Sequence, residues 1–237
     1  MKNKKLKKGS YLYHLEEFRI VLISIFIILL VSFVFSMTFA EKIVILLQEP
    51  IKQTGVKLSY FSPEEKFLTY LKIGFVSAIF ISLPFAIILL GRFVYPALKK
   101  NERKYFYIFL FLLPVIFYAG GFFAYKIIFP FAIRFFYNFA GGVTLIPVWG
   151  ISNYFNLLIT LITGTGIVFL LPLPLIFLIK AGVISVETIN RLRFYIIVVI
   201  LIIAAVFSPP DVLSQILVAI PLYLLFEISV IIGKLMK

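Results

Sequence analysis

Long apolar runs dominate this chain and restrict what it can fold into. The run from Ile20 to Ala40 contains no charged side chain, and about 20 helical residues are enough to cross the hydrocarbon core of a bilayer. Similar runs recur to the end of the sequence, so that 62% of the residues are hydrophobic and the mean hydropathy is +1.11. A soluble domain is only about half apolar. We therefore predict an all-α, polytopic membrane protein, with residues 1–237 forming a single membrane domain.

Six membrane spans are predicted from the apolar runs, and the third is expected to stop at Pro130. The last two runs are short, with about 14 residues from Phe194 to Phe207 and about 15 from Val212 to Phe226. At 1.5 Å per residue they reach roughly 21–23 Å across a core of about 30 Å. A buried hairpin that never crosses is the alternative for this pair, but basic residues at both of its cytoplasmic-side ends favour crossing. The predicted spans are 20–40, 67–90, 105–129, 155–179, 194–207 and 212–230.

Basic residues are divided unevenly between the two sides that six spans create. Sixteen of the 23 lysines and arginines fall in the termini and in the second and fourth connections, and seven fall elsewhere. Because basic loops stay in the cytoplasm, both termini are predicted to be cytoplasmic. The same rule accounts for the net charge of +13 without a nucleic-acid partner. The outer connections, 41–66 and 131–153, are expected to form short interfacial helices. The sequence shows no internal repeat, so an inverted-repeat transporter is not supported.

Residues that could carry out chemistry are scarce. The sequence has one histidine, His14, and no cysteine, and it contains no HExxH motif or plausible Ser/His/Asp set. We therefore predict no enzymatic activity, metal site or cofactor. No span carries an acid at mid-depth, as a proton-coupled carrier normally would. The polar residues within or near the spans are Lys72, Thr160, Thr163, Thr165, Gln215 and Glu227.

Acids occur at the edge of the first span, where basic anchors are usual. In HLEEFR (14–19), Glu17 shares a helix face with His14, and the helix dipole favours an anion near this end. Glu102 lies among basic residues in PALKKNERK (96–104). From the residues alone, these acids could simply decorate a helix start and form a solvated loop ion pair, which contributes little to stability.

Four stretches resemble, in order, segments of the TatC family, the core receptor of the twin-arginine protein translocase. HLEEFR (14–19) resembles the family's HLxELR signature, with Phe18 in place of the usual Leu. FSPEEKFLTYLK (61–72) is similar to its P-x-E-x-F segment, and residues 83–104 resemble its second span and cytoplasmic loop. SPPDVLSQILVAIPLYLLFEISV (208–230) resembles its last hairpin. The resemblance thus covers nearly the whole chain.

The resemblance implies a concave bundle of six helices, the last two short, in the cytoplasmic (inner) membrane. It implies binding of the twin-arginine signal peptides of folded preproteins, recruitment of TatA- and TatB-type single-span subunits, and assembly with further copies in a larger complex. The signal-peptide site that it implies consists of Glu17, Glu102, Arg19 and Phe93. The residues assigned to structural or partner contacts are Pro50, Pro84, Pro96, Lys72, Leu170, Asp211 and Gln215.

One position departs from the family pattern. The fourth span of the family commonly has a Glu or Gln in a segment like FEVP, whereas FLLP places Leu170 there in this chain. Thr163 and Thr165, one or two turns earlier, are weak candidates to replace that polar group. One alternative function is a small secondary transporter or channel subunit, which would need a midplane polar site or a repeat. Another is a membrane scaffold without cargo, which would have no use for the cytoplasmic acids.

Overall fold

The chain is almost entirely helical in the computed structural model, which describes residues 11–52, 54–98, 100–140, 148–180, 184–207 and 212–235. Its α-helices are α1 (Tyr11–Thr38), α2 (Ala40–Leu47), α3 (Glu49–Lys52), α4 (Pro63–Val94), α5 (Lys100–Phe123), α6 (Phe129–Ala140), α7 (Ile151–Phe169), α8 (Pro172–Lys180), α9 (Val186–Phe207) and α10 (Val212–Leu235). Two short strands are β1 (Leu58–Ser59) and β2 (Trp149–Gly150).

The described part of the chain contains six helical stretches that are long and apolar enough to cross a membrane. Their number and order confirm the predicted all-α polytopic fold. They are His14–Thr38, Pro63–Val94, Phe106–Asn138, Ile151–Lys180, Val186–Val206 and Val212–Leu235.

The helix of the third stretch continues through Pro130 to Asn138, so the proline does not end the helix as expected. Helix α5 passes into a π-helical segment, Ala124–Ile128, and then directly into α6. Pro130 is therefore the second residue of a restarted helix, where a missing N–H costs little. The sequence signal was misleading because a proline is tolerated in the first turn of a helix, and α6 begins one residue before Pro130.

The fourth span, predicted as one helix over 155–179, is divided. Helix α7 ends at Phe169 and α8 begins at Pro172, with Leu170 and Leu171 forming the turn between them. A proline disfavours the helical conformation of the residue before it, and this explains a break at Leu171. The break falls at the position that departs from the family pattern.

The final two spans are the shortest of the six, at 21 and 24 residues. The helices α9 and α10 are nevertheless 22 and 24 residues long, which is roughly 33–36 Å at 1.5 Å per residue. Each helix extends past its uncharged run. Helix α9 begins at Val186, before Arg191 and Arg193, and α10 continues past Glu227 to Leu235. It is therefore the uncharged part of each helix that is short.

The outer connections contain the expected short helices, α2 and α3 in the first and α6 in the third. They also contain strands that the sequence did not predict. Strand β1 pairs in parallel with β2, with Leu58 opposite Trp149 and Ser59 opposite Gly150. The carboxylate of Glu65 accepts hydrogen bonds from the backbone N–H of Phe61 at 2.7 Å and of Ser152 at 3.0 Å. These contacts join the start of α4 to the start of α7.

The helices form two compact units. The first unit contains the described residues up to Ile43 together with Tyr70–Pro114, and the second contains Val44–Thr69 and the described residues from Val115 onward. In the second unit, α5 and α7 pack closely because Gly120 and Gly166 each face the other helix. A Cβ atom on Gly120 would lie 2.7 Å from Cγ of Phe169, and one on Gly166 would lie 2.9 Å from Cε2 of Phe117.

Candidate functional site

The start of α1 carries the acids of the HLEEFR stretch. Glu17 is half-buried, and its Oε2 lies 3.8 Å from Nδ1 of His14, one helical turn earlier. This confirms that the two residues share a face. Glu16 and Arg19 are exposed on other faces of the helix. Glu17 is thus the acid of this pair that packs toward the protein, and Glu16 is the one that faces outward.

A ring contact joins the start of α1 to the end of α4 in the first unit. The centroids of Phe18 and Phe93 are 5.3 Å apart, and their planes are tilted by 44°. Phe18 retains 39% of its accessible surface, so the pair forms an apolar surface that is partly open. Because Phe18 follows Glu17 directly in the chain, Phe93 contacts the residue next to this acid.

The connection from α4 to α5 is compact and is held by Arg103. A 3₁₀ turn, Tyr95–Ala97, includes Pro96. The guanidinium of Arg103 lies 4.9 Å from the ring centroid of Tyr95, and its Nε donates a 3.2 Å hydrogen bond to the carbonyl of Leu98. These contacts position the first turn of α5, to which Glu102 belongs. The Glu102 side chain itself lies outside the described side chains.

Helices α4 and α5 also approach each other closely at this end of the first unit. A methyl group on Gly91 would overlap the side chain of Leu110, so the two helices are in direct contact near their connection. The Phe18–Phe93 contact therefore places the start of α1 near the connection at which α5 begins. The backbone positions of Glu17 and Glu102 belong to this one end of the unit, together with Arg19 and Arg103. The described side chains at this end offer one half-buried carboxylate, Glu17, and the partly exposed ring of Phe18.

The hairpin of α9 and α10 is joined at two levels in the second unit. Nε2 of Gln215, in the first turn of α10, donates a 3.0 Å hydrogen bond to the carbonyl of Leu201. At the opposite end, Nη2 of Arg193 donates a 3.0 Å hydrogen bond to Oε2 of Glu227. Gln215, which was assigned to a structural or partner contact, thus donates a hydrogen bond to the backbone of the neighbouring helix. Sequence reasoning missed the ion pair, whose members lie in different helices.

The position that departs from the family pattern, Leu170, is half-buried in the turn between α7 and α8. Thr165 is completely buried, whereas Thr163 is half-buried. A side chain with no exposed surface cannot contact a helix from another protein. Thr165 is therefore ruled out as a replacement for the missing polar group in the isolated chain.

The remaining assigned residues occupy varied positions. Pro84 lies inside α4, which continues on both sides of it without interruption. Pro50 is buried in α3, whereas Lys72 and Pro96 are exposed. Asp211 lies outside the described residues. Over the described ranges, no group of three or more His, Cys, Asp or Glu side chains could hold a metal ion.

Fold and site together define a multi-pass helical membrane protein whose charged groups concentrate at the ends of its spans. Comparison with known proteins then identifies the family. Residues 13–221 match the family model described as "Sec-independent protein translocase protein (TatC)". The chain therefore belongs to the TatC family, and the resemblance seen in four sequence stretches is confirmed. Its function is in Sec-independent, twin-arginine protein translocation, not in the alternative class of small transporters or channel subunits.

Individual relatives match nearly the whole of this chain. The Sec-independent protein translocase protein TatC of Magnetococcus marinus is 34% identical over 231 residues, covering 96% of this chain and 85% of that protein. TatCy of Bacillus subtilis is 30% identical over 234 residues, covering 99% and 92%. A crystal structure of the twin arginine translocase receptor TatC in DDM matches with a TM-score of 0.80 and 34% identity, covering 93% of this chain and 99% of that one.

Proposed function

We propose that this chain is the signal-peptide receptor of a twin-arginine translocase, and that Glu17 and Glu102 hold the two guanidinium groups of the signal peptide. The observation that best supports the proposal is the 5.3 Å contact of Phe18 with Phe93. Through it, the acid-bearing start of α1 adjoins the end of α4, from which the chain reaches Glu102 within the first turn of α5.

The chemistry of arginine suits such a pair of carboxylates. A guanidinium is a planar fork that can donate two hydrogen bonds to one carboxylate, whereas a lysine ammonium offers only a point charge. Nearby bases such as Arg19 and Arg103 repel stray cations, so only a ligand that makes well-formed paired contacts gains net affinity. In this proposal Phe93 and Phe18 pack against the apolar part of the peptide that follows the arginines.

The same proposal places the protein in the cytoplasmic (inner) membrane with both termini in the cytoplasm. The uneven distribution of lysines and arginines supports this orientation. The basic side chains would also attract anionic lipid headgroups and hold the site at the membrane surface. The partners are folded preproteins that carry twin-arginine signals, single-span subunits of the TatA and TatB type, and further copies of this chain. In this role the chain acts as a receptor without catalytic activity.

Peptide binding to the purified chain tests the proposal. A labelled twin-arginine signal peptide and its twin-lysine counterpart are titrated at fixed salt against the parent chain and three single variants, Glu17→Gln, Glu102→Gln and Glu16→Gln. Each charge-assisted contact contributes about 1.5–3 kcal/mol, so the first two variants should weaken arginine-peptide binding roughly tenfold to a hundredfold. Glu16→Gln is the matched control, because it removes an exposed acid from the adjacent position.

Two results would contradict the assignment. Parent-like binding by both Glu17→Gln and Glu102→Gln would remove these acids from the site. A larger loss in Glu16→Gln than in either would show that general negative charge at the start of α1 matters, and not the proposed pair. Melting temperatures of the three variants in detergent, measured in parallel, separate loss of binding from loss of fold.

A further inference from the structure

A cavity of about 650 Å³ lies in the second unit, which contains none of the residues proposed to bind the signal peptide. It opens between α3, the junction of α5 with α6, and the start of α10. Lys126, Arg134 and Glu49 contribute its charged wall, and Phe131 and Leu217 contribute apolar wall. Ligand sites typically enclose about 300–1,000 Å³, so the cavity is large enough to hold a small polar group. We call it the Lys126 cavity.

The π-helical segment explains why two cations reach the same cavity. Lys126 lies within this segment, and Arg134 follows eight positions later in α6. In a regular α-helix, residues eight apart diverge by about 80° around the axis. A π turn takes up one extra residue, so Arg134 is rotated back toward the side of Lys126. Such turns occur frequently at functional sites.

The charges of the wall favour an anion. Nζ of Lys126 lies 3.9 Å from Oε2 of Glu49, and both side chains are about half exposed. Among the described residues that line the cavity, two are cations and one is an acid. The wall is also anchored, because Nζ of Lys126 lies 5.1 Å from the ring centroid of Tyr125. The hydroxyl of Tyr125 in turn donates a 2.7 Å hydrogen bond to the carbonyl of Leu46.

In the proposed orientation of the chain, the cavity would face the outer leaflet, at the depth where lipid headgroups meet hydrocarbon. It is formed near the end of the third span and the start of the sixth, at the ends opposite the cytoplasmic acids in the predicted topology. One turn toward the middle of each span, Phe122 and Ile220 expose 64% and 54% of their surfaces. An anionic head in the cavity would therefore continue into apolar chains along exposed apolar side chains.

We propose that the Lys126 cavity binds the phosphate-bearing headgroup of an anionic phospholipid, with Arg134 and Lys126 as the phosphate ligands. Arginine is suited to this because its fork can contact two phosphate oxygens at once. The placement of this lipid in the outer leaflet rests on the proposed orientation of the chain. The cavity and its lining residues do not depend on that orientation. A free phosphate ion offers the same chemistry without acyl chains, so the experiment must separate the two sources.

Lipid binding to the full chain in detergent tests the inference. Delipidated protein is titrated with phosphatidylglycerol, phosphatidylcholine and inorganic phosphate, and the lipid bound per chain is counted by native mass spectrometry. We expect one phosphatidylglycerol to bind in preference to phosphatidylcholine. Arg134→Gln and Lys126→Gln should each weaken it roughly tenfold to a hundredfold, as expected for one lost charge-assisted contact. Lys57→Gln is the matched control, because Lys57 is exposed in the same unit and does not line the cavity.

The variant Arg134→Lys keeps the charge and guards against a trivial folding defect. It should retain more binding than Arg134→Gln at a similar melting temperature. The inference is overturned if Arg134→Gln and Lys126→Gln bind phosphatidylglycerol like the parent, or if Lys57→Gln loses as much as they do. Inorganic phosphate that binds as tightly as the lipid would show a site for free anions and would also overturn it.

Discussion

Arg193 on α9 donates a hydrogen bond of 3.0 Å to Glu227 on α10. Arg193 precedes the apolar run of α9, and Glu227 follows the apolar run of α10. The ion pair therefore marks the end of the uncharged run in each helix of the final hairpin. Its side chains are 42% and 23% exposed, so it is neither fully solvated nor fully buried. At the other end of the hairpin, Gln215 joins the two helices by donating a hydrogen bond to the carbonyl of Leu201.

Removing one member of this pair should destabilise the hairpin. Glu227→Gln or Arg193→Gln should lower the free energy of unfolding by about 1–2 kcal/mol, because the remaining charge loses its partner in a partly buried site. The measurement is denaturant unfolding in detergent. Arg191→Gln is the matched control, since Arg191 is exposed two residues earlier. The double variant should be little worse than either single variant, and fully additive losses would show that the two residues act independently.

A methyl group on Gly120 should separate α5 from α7. Its Cβ would lie 2.7 Å from Cγ of Phe169 and 2.9 Å from the carbonyl oxygen of Thr165, and a backbone atom cannot move aside cheaply. Gly120→Ala should cost about 1–3 kcal/mol of unfolding free energy, as overpacking typically does. Ala119→Leu adds more volume at the neighbouring exposed position and should be nearly neutral. Equal melting temperatures for Gly120→Ala and the parent would contradict the close packing.

A polar group at position 170 should strengthen contact with a partner helix. If the fourth-span polar group of the family docks a polar residue of a TatA-type helix, this chain binds that partner by packing alone. Leu170→Glu should then increase the cross-linking yield to a TatA-type helix that carries a polar residue, because intramembrane polar pairs contribute about 1 kcal/mol. Leu171→Glu places the same group one residue away and is the control. An unchanged yield for Leu170→Glu would mean that this position does not contact the partner.

The bilayer should be thinner beside α9 and α10 than beside the other spans. Between the Arg193–Glu227 pair and the connection 208–211, the uncharged runs reach only roughly 21–23 Å, which is about 7–9 Å less than the hydrocarbon core. Thinning there would ease the passage of a large folded cargo. Lipid thickness around the reconstituted protein, mapped by simulation or scattering, should show the difference relative to the exposed face of α1. A uniform thickness would count against this prediction.

The number and order of the spans could be read from the sequence, because the cause is local. Backbone polar groups in a bilayer must be satisfied within a helix, and each crossing needs a long apolar run. The contact of His14 with Glu17 was predictable for the same reason, since residues three apart share a helix face. The family was recognisable because its motifs are short stretches that stay contiguous in the chain. The break at Leu170 and Leu171 could not be predicted in this way, because hydropathy does not reveal a turn between two apolar helices.

Tertiary structure alone decided the features that depend on partners far apart in the chain. Arg193 and Glu227 are 34 residues apart, and Glu65 and Ser152 are 87 apart, so no local pattern pairs them. Pro130 was misread because its effect depends on the π-helical segment before it, and that segment packs against α7 and α10. The Lys126 cavity likewise combines residues that are far apart in the chain, from Glu49 in α3 to Leu217 in α10. Hydropathy determines which segments enter the membrane, but packing determines which side chains meet, because contact energies depend on distance in space and not on separation along the chain.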